Sequence, residues 1–201
     1  MGVSCAASGP RDNLGFEGLA ITPDGRGTWA AMEAALLQDG PVPAFGRRGG
    51  PCRFTLFDTV SGQALRQVAY SPDAIPVAPI PSGSYADNGV SEILMLDAAR
   101  MLVLERAFIN GFGNSLRLYL TDTREGSDTL RLARLEEGNH RSADKHLLLD
   151  FRTAALTHFD NTEGMAWGPR LPNGARTMVF VSDDNFNPRQ RTQFVAFEFL
   201  E

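Results

Sequence analysis

Asn13-Leu14-Gly15-Phe16-Glu17-Gly18-Leu19-Ala20-Ile21 is an acidic phrase that the chain uses again. It returns as Asn161-Thr162-Glu163-Gly164-Met165-Ala166-Trp167, and a looser copy, Gly89-Val90-Ser91-Glu92-Ile93-Leu94-Met95-Leu96, lies between them. Each copy is followed by a turn and a second apolar run that ends in acid. These runs are Trp29-Ala30-Ala31-Met32-Glu33, Leu102-Val103-Leu104-Glu105 and Val179-Phe180-Val181-Ser182-Asp183-Asp184. Glu17, Glu92 and Glu163 stand 75 and 71 residues apart (92 − 17 and 163 − 92). A repeat of that period marks a repeated structural unit, and the strand-built candidate is a propeller blade. The expected fold is all-β: a β-propeller with about three four-stranded blades, the last of them incomplete.

Hairpin geometry gives the repeat a chemical meaning. The start of one strand and the end of its antiparallel partner lie at the same edge. Glu17 should therefore meet Glu33, Glu92 should meet Glu105, and Glu163 should meet Asp183 or Asp184. Radially arranged blades would bring these edges to one mouth of a central channel. A ring of carboxylates there binds a hard cation or does acid/base work; read alone, each acid is a solvated strand end.

Turn and strand signals extend the pattern outward. Strands are expected over 18–22, 28–33, 53–58 and 63–70, then over 91–97, 101–105, 115–121 and 145–150, and finally over 163–168, 177–182 and 192–199. The third unit ends without a fourth strand. Two full blades and part of a third do not close a ring, and an open edge invites self-association. The chain is accordingly expected to be the C-terminal part of a larger domain. Residues 1–12 read as a disordered or cut edge and 13–201 as the partial propeller. Residues 71–84, with four Pro, read as an extended linker. Trp29, Trp167, Phe180, Phe194 and Phe197 are expected in the core between blades.

Composition excludes several functions. With 19 basic and 24 acidic residues the 201-residue chain carries a net charge of −5, which argues against nucleic acid as a partner. Hydrophobic content of 43% suits a globular domain, and no apolar stretch has the length of a membrane helix. The start, Met1-Gly2-Val3-Ser4-Cys5, lacks the features of a signal peptide. Cys5 and Cys52 could pair in an oxidising compartment, while His140, His146 and His158 are too scattered for a metal motif.

These segments resemble the phytase-like family described as "esterase-like activity of phytase". The resemblance rests on 13–24, 32–40, Val90-Ser91-Glu92-Ile93-Leu94 and Leu102-Val103-Leu104-Glu105-Arg106. It is closest at Asp160-Asn161-Thr162-Glu163-Gly164-Met165-Ala166 and Ser182-Asp183-Asp184-Asn185-Phe186-Asn187-Pro188, with Gln193-Phe194. It implies a β-propeller, ester or phosphoester hydrolysis, and a periplasmic or secreted location. Glu-Gly opening an inner strand is also similar to calcium-dependent lactonase propellers, in which such a Glu binds the metal.

Phosphoester hydrolysis in an acidic mouth needs a cation to reverse the local field, and Ca²⁺ is the expected cofactor. Its expected ligands are Glu17, Glu92, Glu163, Asp184 and Asn185, all oxygen donors. Glu33, Glu105, Arg106 and Asp183 are the expected catalytic groups. Arg106 either clamps an anionic oxygen or pairs with a neighbouring carboxylate. The run Asp183–Pro188 reads equally as an Asx turn or as a ligand loop. No Gly-x-Ser-x-Gly occurs, which disfavours a serine hydrolase. Two functions follow. One is a calcium-dependent hydrolase of a small-molecule ester or phosphoester; the other is a non-catalytic binding propeller with a structural cation, or an inactive fragment of a larger domain.

Overall fold

The computed structural model describes residues 7–154, 156 and 158–200. Cys5 and the first six residues of the expected N-terminal edge lie outside the described residues. Within the rest of that edge, Gly9 exchanges hydrogen bonds with Leu37 and Gln38, and Arg11 Nε donates to the Ala35 carbonyl.

The described chain is almost wholly β. Its elements are β1 (Phe16–Ile21), β2 (Gly27–Met32), β3 (Cys52–Asp58), β4 (Ala64–Tyr70), β5 (Gly89–Met95), β6 (Arg100–Ile109), β7 (Gly113–Asp122), β8 (Lys145–Asp150), β9 (Thr162–Trp167), β10 (Arg176–Ser182) and β11 (Phe194–Phe199). A single 3-10 turn, Phe151–Thr153, is the helical part of the described chain. No helix among the described residues is long and apolar enough to cross a membrane. The strands form three antiparallel sheets, ordered β1-β2-β3-β4, β5-β6-β7-β8 and β11-β10-β9. The third sheet has three strands, as its sequence indicates.

Period-two alternation decides what lies between the sheets. Trp29, Ala31, Phe54 and Tyr70 from the first sheet pack on Val90, Ile93, Met101 and Val103 from the second. The other face of the second sheet sends Leu102, Leu104, Leu116 and Leu118 against Met165, Met178 and Phe180 of the third. Phe151 anchors this second core, with Phe159, Phe180 and Phe197 edge-on at 5.2, 5.1 and 5.5 Å. Phe194, expected in the core, is instead 75% exposed. It sits at odd spacing from Phe197 and Phe199, which already face inward, so the strand turns it out. The long 123–144 connection also has a place. It lies along β4 through Thr129 N to Gln67 O and Ala143 N to Ala69 O, and Leu135 N reaches Asp39, itself clamped by Arg53.

β1, β5 and β9 run side by side. A Cβ on Gly18 would stand 2.9 Å from Ile93 N, so only glycine lets β1 approach β5 this closely. One carboxylate joins all three strands. Glu92 Oε1 accepts from Leu19 N at 3.1 Å and from Ile93 N at 2.9 Å, and the side chain accepts a third backbone N–H from Met165. The three donors are equivalent residues of the three strands, as their ladder registers show. Burial raises the Glu92 carboxyl above its ordinary range, while these N–H groups pull it back down.

Glu92→Ala leaves three backbone donors without their acceptor and should cost about 2–4 kcal/mol. Urea unfolding measures this, with exposed Glu136→Ala expected to be neutral. An unchanged midpoint for Glu92→Ala would show that the three strands are held by apolar packing alone.

Candidate functional site

All three sheets carry a bulge at the same place, and it sets the geometry of the site. In the first sheet Phe16 pairs with Met32 and Gly18 with Ala31, leaving Glu17 extra. In the third, Thr162 pairs with Ser182 and Gly164 with Val181, leaving Glu163 extra. In the second, Val90 pairs with Glu105 and Glu92 with Leu104, leaving Ser91 extra. A bulge re-aims its extra residue, and here it turns Glu17 and Glu163 into one cavity. The same registers make Glu33, Arg106 and Asp183 equivalent. Glu33 N bonds Gly15 O, Asp183 N bonds Asn161 O, and Arg106 lies opposite Gly89.

The expected alignment of the second repeat is therefore one residue out. Glu92 and Glu105 do not stand where Glu17 and Glu33 stand; Ser91 and Arg106 do. Because strand side chains alternate, a single step sends both acids elsewhere. Glu92 goes between the inner strands. Glu105, 1% exposed, is enclosed under the loop after β4. It accepts from Tyr70 Oη at 2.7 Å, Asn88 Nδ2 at 2.9 Å and Asp73 N at 3.0 Å, and pairs with Lys145. Lys145 in turn lies over the Tyr119 ring at 4.2 Å and reaches Asp73 at 3.1 Å. This network ties β4, β6 and β8 together and leaves Glu105 no free lone pair facing the cavity.

The cavity has a volume of about 450 Å³. Glu17, Glu33, Arg106, Glu163 and Asn185 line it, so five of the nine expected site residues come together. Asp183 and Asp184 remain in the turn beside it, where Asp183 Oδ1 accepts from Asn185 N and Asp184 Oδ1 from Phe186 N. That is the expected Asx turn. It holds Asn185 and Phe186 at φ 48° and 53°, a left-handed conformation uncommon for such residues. Asn13, at φ 54°, lines the same cavity.

Arg106 is the electrostatic centre. Its Nη2 lies 3.8 Å from Glu33 Oε1 and 3.9 Å from Glu163 Oε1. Its buried Nε has no hydrogen-bond partner among the described residues. Glu33 is 7% exposed and its carboxyl is pushed up to about 7. Burial is the largest cause; Arg106 opposes it, and Glu17, Asp87 and Glu163 add to it. Glu17 is raised for the same reasons, burial first and then Glu163, again opposed by Arg106. Gly89 makes the crowding feasible, since a Cβ there would meet Glu33 Cγ at 2.6 Å.

Tyr85, Asp87, Asn161 and Phe108 also line the cavity. Tyr85 Oη donates to Asp87 Oδ2 at 2.6 Å and Phe108 N to Asp87 Oδ1 at 2.7 Å, while Asn161 Nδ2 donates to Glu163 Oε1 at 2.7 Å. The bond to Asp87, and then burial, push the Tyr85 hydroxyl up to about 12, so it remains a donor. Tyr85 and Asp87 escape the repeat analysis because they precede β5 in an irregular segment.

The oxygen donors that line the cavity are of the kind a hard cation takes. Glu17, Glu163, Asn161 and Asn185 offer carboxylate and amide oxygens in one cavity, and four carboxylates face one arginine. Among the described residues no three acidic, His or Cys side chains are already drawn together for an ion. Arg106 holds Glu33 and Glu163 in its place.

A family model described as "Phytase-like: Esterase-like activity of phytase" matches residues 3–186. No curated protein and no solved structure matches the chain.

The Glu33 carboxyl gives a pH signature. Its folded value, about 7, lies above the unfolded 4.5, so the fold prefers the protonated acid. That contribution to stability is complete below about pH 4.5 and is lost as pH rises through 7. Glu33→Gln, which stays neutral, should remove about 3 kcal/mol of this loss, the worth of roughly two and a half pKa units. Urea midpoints of both proteins from pH 4 to 9 measure it, and parallel curves would refute it.

Proposed function

The chain belongs to the phytase-like family, and on that premise we propose that it hydrolyses phosphoesters or other esters at the acidic mouth. In this reading the three sheets are consecutive propeller blades with β1, β5 and β9 innermost. The close approach of Gly18 to Ile93 and the three-strand bond of Glu92 support that arrangement. The observation that carries the function is the pairing of a buried carboxyl, Glu33, with a guanidinium, Arg106, in one open cavity.

Each group has a distinct task. Arg106 binds the anionic or developing anionic oxygen of the ester through its guanidinium, which lines the cavity. Glu33 titrates near neutrality, where an acid/base group works best. As carboxylate it takes a proton from the attacking water while the water oxygen bonds to phosphorus or the acyl carbon. It then returns that proton to the leaving oxygen as the ester bond breaks. Tyr85 and Asp87 hold the rim, and Asn161 orients Glu163.

Ca²⁺ is the proposed cofactor, with Glu17, Glu163 and Asn185 as the residues that would hold it. When bound it would supply positive charge for the substrate's oxygens. Glu92, Glu105, Asp183 and Asp184 have no part in this proposal, since their carboxylates serve the backbone or the buried network. The competing reading, a non-catalytic binder, draws on the fact that Arg106 already balances two of the acids.

Turnover of 4-nitrophenyl phosphate and 4-nitrophenyl acetate, with chelator and with millimolar Ca²⁺, separates the two. Glu33→Gln and Arg106→Met should each lower kcat/KM by about 10²-fold or more. Glu136→Gln should leave it unchanged. Ca²⁺ should raise Tm in the parent and less so in Glu163→Gln. No turnover of either ester by folded, calcium-supplied protein would favour the binder.

A further inference from the structure

A second cavity opens beside the mouth. Its volume is about 620 Å³, and it shares Phe108, Asn114 and Gln190 with the first. A molecule whose reacting group sits against Arg106 can therefore extend into this space. Where the mouth is polar, the annex is walled by Phe108, Phe112 and Phe159, with His158 and Arg189 also in its lining.

The long hairpin places these rings. β6 and β7 are each 10 residues long and pair without a break from Arg100–Asp122 to Ile109–Gly113. Beyond Arg106 the hairpin carries Phe108 and, at its tip, Phe112. Both remain solvent-exposed, at 37% and 57%, and Tyr85 beside Phe108 is 65% exposed. The Tyr85 and Phe108 ring centroids are 6.2 Å apart in a tilted arrangement. Tyr85 and Phe108 line the polar cavity and Phe108 and Phe112 line the annex, so Phe108 carries an aromatic surface from one into the other, suited to a flat apolar group.

Charge points the same way. A polyphosphate entering the mouth meets one arginine against Glu17, Glu33, Asp87 and Glu163. A single ester group next to a neutral ring meets a matched pair of surfaces instead. Building on the hydrolase reading above, we propose that the substrate carries an aromatic ring directly beside its ester group, and that the annex of Phe108 and Phe112 binds that ring. Phe112 is then a specificity-determining residue, and Arg189 is available to lie over the bound ring's face.

Binding of phenylphosphonate and methylphosphonate, measured by titration calorimetry with and without Ca²⁺, tests this without requiring turnover. The phenyl compound should bind about 10-fold tighter. Phe112→Ala, a change at an exposed turn, should bring the ratio near one and leave methylphosphonate affinity unaltered, while Phe112→Trp should retain the preference. Equal affinities in the parent, no binding of either compound, or a preference that survives both Phe108→Ala and Phe112→Ala would overturn the proposal. Phenyl phosphate and phenyl acetate turnover is read in parallel. A phenyl preference without turnover retains the annex and removes the hydrolase reading; turnover without the preference does the reverse.

Discussion

Three inner strands meet on one carboxylate. Glu92 stands in the second repeat where the first and third have Gly18 and Gly164, and it accepts an N–H from the equivalent residue of each strand. Strand edges are rows of unsatisfied donors and acceptors, and three edges drawn together would bury several of them. A charged acceptor answers three donors at once, which apolar packing cannot do. Gly18 lets its strand come up against Ile93, whose N–H is one of the three donors. The bulged residues Glu17, Ser91 and Glu163 each stand one residue before this point.

The mouth follows from the same substitution pattern. Where the outer repeats place Glu17 with Glu33 and Glu163 with Asp183, the middle repeat supplies Ser91 and Arg106. Four carboxylates in a cavity of about 450 Å³ repel one another, and Arg106 offsets part of that repulsion. The offset is incomplete, because Glu33 still lies well above the ordinary glutamate range. The Glu105–Lys145 network nearby shows the contrast, since there both Glu105 oxygens are met by donors.

Much of this was legible in the residues. The repeat yields eleven strands in three sheets, including the short third one, because apolar alternation between Gly, Pro and Asp turns is a local signal. Glu17, Glu33 and Glu163 come from the repeat, while Arg106 and Asn185 come from the segments that carry the family resemblance. The misplacement of Glu92 and Glu105 has a simple cause. Matching Glu with Glu is natural on paper, yet the bulge aligns Glu17 with Ser91, and a one-residue step reverses the face. The pattern Glu-Gly, Ser-Glu, Glu-Gly held the clue: Glu92 occupies the glycine column. Tyr85, Asp87 and Phe108 carry no such mark. They reach the mouth through an irregular segment and an overlong hairpin, which only tertiary structure reveals.

Burial lifts the Glu33 carboxyl, and Arg106 holds part of that rise in check. The most direct measurement is the carbon-13 titration of the Glu33 side-chain carboxyl by NMR, in the intact protein and in Arg106→Met. The account predicts a midpoint near 7 in the parent and a higher one once the guanidinium is gone. A parent midpoint near the ordinary 4.5, or one that does not move in Arg106→Met, would contradict it.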